Sequence, residues 1–119
     1  MEIDYINQLD VADGFIKSIF LYDNIAEIVI EKWNTEIIQL IIKECWCLKD
    51  MQSTNREISH LRVFRQSALI DEVIADIAEG GGTKDIVKDA VQITFYDVND
   101  ESIVLEVVAT SIEIFKPGL

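Results

Sequence analysis

IAEIVIEKWNTEIIQLIIKECWCL (Ile25–Leu48) is the stretch whose reading decides the fold. Its apolar residues recur at every second position, which is the period of a β-strand. In Ile25–Trp33, Ala26, Ile28 and Ile30 take one face, while Glu27 and Glu31 alternate with Ile25, Val29 and Trp33 on the other. Asn34-Thr35 is a turn signal. Glu36–Leu48 then resumes the alternation, with Ile38, Leu40, Ile42, Trp46 and Leu48 on one face and Ile37, Gln39, Ile41, Lys43, Cys45 and Cys47 on the other.

Upstream, Phe15–Tyr22 is rich in aromatic and β-branched residues and ends at the turn residues Asp23-Asn24. Three strands joined by short turns make a meander. The first dozen residues read ambiguously: Ile3, Ile6 and Leu9 would form one side of a short helix ending near Asp13-Gly14. Downstream, Lys49–Glu57 is polar and predicts a loop, and Ile58–Phe64 fits either a fourth strand or the lead-in to a helix.

From Ser67 the period lengthens. Leu69, Ile70, Val73, Ile74 and Ile77 recur at three- and four-residue spacing, with Asp71, Glu72, Asp76 and Glu79 opposite. Ser67 is suited to cap this helix and the Gly80-Gly81-Gly82 run to end it. A short helical turn is expected in Thr83–Ala90. Val91–Tyr96 and Ser102–Ala109, joined by a turn at Val98-Asn99-Asp100, form a hairpin, and Ile112–Phe115 either extends its second strand or adds another.

The expectation is a single α+β domain over residues 1–119: an antiparallel sheet of three-stranded meander and C-terminal hairpin, with one main helix, Ser67–Glu79, covering one sheet face. The other face carries Val29, Trp33, Ile37 and Ile41, more apolar surface than a wet face normally shows. Three things would cover it: the N-terminal segment, a curl of the sheet into a partial barrel, or another chain.

Composition narrows the functional classes. The 119 residues carry 22 acidic and 10 basic side chains, a net charge of −12. Such an excess repels phosphate backbones and anionic bilayers, so nucleic acid and membrane surfaces are poor partners. It favours solubility and fast encounter with a basic protein. The acidic start Met1-Glu2-Ile3-Asp4 lacks the basic, then apolar, pattern of a secretory signal, and no run approaches a bilayer-spanning length. A cytoplasmic location is the expectation. The thiols Cys45 and Cys47 fit it: on one strand face their Cα atoms would sit ~6.5 Å apart with parallel side chains, a poor geometry for a disulfide.

No chemical motif is complete. Gly80-Gly81-Gly82-Thr83-Lys84 follows a helix rather than a strand, and its lysine comes after the threonine, so it is a helix stop and not a phosphate loop. Asp97-Val98-Asn99-Asp100-Glu101 would need glycine and glutamate where Ser102 and Val108 stand to complete a calcium loop. Cys45, Cys47 and His60 are one ligand short of a structural zinc site. Ser59 and His60 are adjacent, and strand alternation would point them to opposite faces. Glu27 and Glu31 are explained by cross-strand neighbours such as Lys43, and Arg56, Arg62 and Arg65 by neighbouring carboxylates. Neither catalysis nor a cofactor nor a metal is therefore expected.

The remaining class is a protein-binding module. Val29, Trp33, Ile37 and Ile41, ringed by Glu27, Glu31 and Glu36, supply apolar anchors inside a charged rim. The expected function is that of an inhibitor or immunity-type protein capping a basic partner. A structural homo-oligomer and a small-ligand binder with a pocket between helix and sheet are the rival expectations.

Overall fold

A computed structural model describes residues 11–82 and 89–115. Six antiparallel strands run in the order β1 (Gly14–Tyr22), β2 (Ile25–Glu31), β3 (Ile37–Asp50), β4 (Glu57–Phe64), β5 (Val91–Asp97) and β6 (Ile103–Phe115), with helix α1 (Ala68–Glu79) between β4 and β5. The sheet closes as β1-β2-β3-β6-β5-β4. The meander and the hairpin are present within a more extensive sheet: β3 runs on to Asp50, into the expected Lys49–Glu57 loop, and Ile58–Phe64 is a strand. Ile112–Phe115 continues β6 without a break. The expected helices in the first dozen residues and in Thr83–Ala90 fall on residues 1–10 and 83–88, outside the described residues.

Closure changes which surface is the core. The inward face of the alternation, Ala26, Ile28, Ile30, Ile38, Leu40 and Ile42, is buried inside the barrel with Ile16, Ile58, Ile93, Phe95, Leu105 and Val107. Phe95 is the largest fully buried side chain. Filling a small barrel with branched side chains is how such a closed sheet builds its core. The helix is therefore not the cover of the main face. It packs outside the barrel, where Leu69, Ile70 and Val73 form a second cluster with Ala90 and Val108, flanked by Trp46, Cys47, Ile74 and Ile77. Ser67 caps it by accepting a hydrogen bond from the Ile70 amide at 3.0 Å. At the far end Gly81 takes the left-handed conformation, φ +86°.

Single-residue bulges decide which side chains face in. In β1, Ile16 pairs with Ile30 but Ser18 with Val29, leaving Lys17 unpaired on the β2 side. In β3, Cys45 pairs with Ala109 and Cys47 with Val108, so Trp46 is the extra residue. Cys45, before the bulge, packs on the barrel core, while Trp46 and Cys47 join the helix cluster. The two thiols do not share a face, as simple alternation would require. Both are free and half-buried.

The seam between β1 and β4 is short: only Gly14↔Ile58 and Phe15↔Glu57 pair. Gly14 suits this close approach, because a Cβ would sit 3.0 Å from the backbone carbonyl oxygens of Glu31 and Val11, which would have to give by a few tenths of an ångström. An ion pair locks the same end. Arg56 donates to Asp97 through Nε at 2.9 Å and Nη2 at 2.6 Å, and the Asn99 amide donates to the other Asp97 oxygen at 2.7 Å. These bonds hold the Asp97 carboxyl below the ordinary carboxylate range, the Asn99 amide contributing most.

Candidate functional site

The outer face of β1, β2 and β3 gathers the residues the sequence singles out. Cross-strand rows run Phe15–Glu31–Ile37, Ser18–Val29–Gln39 and Phe20–Glu27–Ile41, the last continuing to Glu113 on β6. Val29, Ile37 and Ile41 are half-buried among these neighbours, Glu27 and Glu31 likewise, and Glu36 is exposed. Trp33 stands at the tip of the β2–β3 turn, 68 % exposed. Closing the barrel buries the opposite face of these strands and leaves this one uncovered by any described element.

Three aromatic residues of the patch come from β1: Phe20 (64 % exposed), Tyr22 and Phe15. Strict alternation would place Phe15 and Phe20, five positions apart, on opposite faces. The extra residue Lys17 reverses the parity, so both project outward while Ile16 and Ile19 turn inward. Large exposed hydrophobic residues gathered on one sheet face are uncommon in a monomeric protein.

The carboxylates of the face are largely engaged. Glu31 pairs with Lys17 at 3.3 Å, Glu36 with Lys32 at 3.5 Å and Glu113 with Lys43 at 2.7 Å. Lys43 thus serves Glu113 and not Glu27 or Glu31. Glu27 accepts a hydrogen bond from the Tyr22 hydroxyl, which raises the Tyr22 pKa. The patch is close to charge-balanced, and much of the acidity lies elsewhere, as on the exposed Asp71, Glu72, Asp76 and Glu79 of α1.

Elsewhere the chemical candidates resolve into structure. Ser59 is the extra residue of a bulge between Ile58 and His60, and its hydroxyl shares a hydrogen bond with His60 Nδ1. The bulge overturns the strand rule that would keep the pair apart. The His60 ring stacks on Tyr96, with centroids 4.6 Å apart and planes at 16°, and the Arg62 guanidinium lies 5.9 Å above Tyr96. A nucleophile–base pair needs a third group to orient the base, and no described carboxylate bonds to His60. Arg56 is committed to Asp97, and Arg65 is exposed. Among the described residues no group of three or more His, Cys, Asp or Glu is placed to hold a metal ion.

Two clefts flank β3. One, of about 250 Å³, opens between Leu21, Asp23-Asn24-Ile25 and Cys45–Leu48. The other, of about 130 Å³, lies between helix and sheet, lined by Trp46, Cys47, Leu69, Glu72, Val73, Asp76 and Ile77. Both are smaller than the roughly 300–1,000 Å³ of typical small-molecule sites. Burial pushes both cysteine thiols above their ordinary pKa, the reverse of an activated nucleophile. No protein-family model, curated protein or solved structure matches this chain. No described helix is long and apolar enough to cross a membrane.

Proposed function

We propose that this chain is a non-catalytic protein-binding module of the inhibitor or immunity type, whose docking surface is the outer face of β1–β3. The observation that carries this reading is the exposed set Phe15, Phe20, Tyr22 and Trp33, joined across the sheet by Val29, Ile37 and Ile41. Aromatic anchors at the centre of a patch supply most of the affinity of a protein interface. The net charge of −12 favours a basic partner and speeds encounter with it, while Glu31 and Glu36, each paired with a lysine, and Glu27, bonded to the Tyr22 hydroxyl, rim the contact.

The test is capture of a stoichiometric partner from the native host at low salt, followed by binding kinetics with variants. Trp33→Ala is expected to weaken binding roughly tenfold or more, chiefly through faster dissociation. The triple change of Glu27, Glu31 and Glu36 to glutamine is expected to slow association and flatten its salt dependence. If both variants bind as tightly and as fast as the wild type, the face is not the docking surface.

A further inference from the structure

Among the described residues, the β1–β4 seam closes over only part of the β1 edge. β4 pairs with β1 only at Gly14 and Phe15, and the next contacts are the Asn55 amide donating to the Ile16 carbonyl and a bridge from Ile16 to Thr54. From Ser18 to Tyr22, β1 has ladder partners on its β2 side alone among the described residues. Unpaired strand backbone of this kind is a template for another strand, and proteins normally blunt it with proline, inward charges or a cover. Ser18-Ile19-Phe20-Leu21-Tyr22 carries no proline and no charged side chain, and no described element covers its open side. The same run contributes Phe20, Leu21 and Tyr22, three of the six large exposed hydrophobic residues among those described.

We propose that this edge pairs with the β1 edge of a second copy of the chain, antiparallel, with Phe20 opposite Phe20. The sequence Lys17-Ser-Ile-Phe-Leu-Tyr-Asp23 is a chemical palindrome about Phe20. In that register Ile19 meets Leu21, Ser18 meets Tyr22, and Lys17, which pairs with Glu31 within its own chain, comes near Asp23 of the turn after β1 in the other copy at both ends. Self-complementarity of this sort is what a two-fold, isologous contact requires. Directly opposed aromatic and aliphatic pairs stabilise an antiparallel ladder, and the end charges fix its register. The balanced local charge keeps the surplus carboxylates of the two copies away from the contact, where salt screens them. A contact made through the strand edge leaves the Trp33 side of the outer face free and joins two such faces in one continuous sheet. The dimer does not rest on the partner reading; its bivalency as a binder does.

The experiment is sedimentation velocity on the full-length protein from micromolar to near-millimolar concentration, at low and high salt. The expected result is a concentration-dependent species of twice the 13.6 kDa chain mass, strengthened by salt because screening weakens the repulsion between two acidic chains. Phe20→Lys, at an exposed position, is expected to keep the circular dichroism spectrum and melting temperature while weakening the dimer roughly tenfold or more. In a background with Cys45 and Cys47 replaced by alanine, Phe20→Cys is expected to cross-link under mild oxidation, and the equally exposed Trp33→Cys is not. A chain that stays monomeric under every condition overturns the proposal and leaves the edge to a different protein. A dimer that Phe20→Lys does not weaken, or one that Trp33→Cys cross-links as readily as Phe20→Cys, overturns it as well.

Discussion

Thr35 breaks a local rule, and replacing it with glycine should stabilise the protein. The β2–β3 turn is closed by the Thr35 amide donating to the Lys32 carbonyl at 2.9 Å and the Lys32 amide to the Glu36 carbonyl at 2.8 Å. This is a three-residue hairpin loop whose last position must be left-handed, and Thr35 occupies it at φ +69°. Glycine adopts that conformation without cost, whereas an L-residue pays roughly 1–2 kcal/mol, a β-branched one toward the upper end. Against this, glycine adds conformational freedom to the unfolded chain, about 0.5–1 kcal/mol. The Thr35 hydroxyl bonds only to the neighbouring Asn34 carbonyl at an exposed site, so its loss adds little. The net expectation is a gain of about 0.5–1 kcal/mol, or a melting temperature higher by about 2–6 °C for a domain of this length. Calorimetry of Thr35→Gly against wild type, with Thr35→Asn as an intermediate case, reads this directly. A Thr35→Gly protein no more stable than wild type would refute the claim that the turn is strained. Trp33 lies in the same turn, so the strain sits beneath the most exposed aromatic of the proposed docking face.

Truncating the centre of the barrel with Phe95→Ala should cost roughly 3–5 kcal/mol in urea denaturation, a large part of the stability of a domain this size. The pH response should follow Asp97. Its folded pKa lies below the unfolded value near ~3.9, so its contribution is complete above that pH and is lost as the pH falls through the folded pKa. Denaturation midpoints should fall on acidification, and Asp97→Asn should remove that part of the fall; an unchanged acid slope in the variant would contradict it. Alkylation of Cys45 and Cys47 should be slow near neutrality and accelerate only above the ordinary thiol range of about 8.5, by mass spectrometry. Mild oxidation of the folded protein should give no disulfide between them, since the Trp46 bulge turns them to different sides.

Much of the architecture is legible in the chain because local periodicity and burial agree. The alternation from Ile25 to Ile42 places each residue on its observed face, and Ser67 and Gly80-Gly81 bracket the helix through backbone chemistry that is local by nature. The predicted site residues Glu27, Val29, Glu31, Trp33, Glu36, Ile37 and Ile41 do lie together, because they come from one hairpin whose parity is unbroken. Phe15, Phe20 and Tyr22 are not legible as part of it. A bulge has no residue signature at Lys17, and one extra residue reverses every later side chain in the strand.

The sequence by itself determines the types of six of the seven described elements, their antiparallel order and the apolar stripe of each, since these depend on near neighbours in the chain. Only the tertiary structure decides that the sheet closes on itself, that the helix sits outside it, and that Cys45 and Cys47 part company. Those outcomes depend on bulges and on contacts between residues distant in sequence, such as Gly14 with Ile58 and Arg56 with Asp97. Closure turns the apolar face of the meander into a core and leaves the aromatic face exposed.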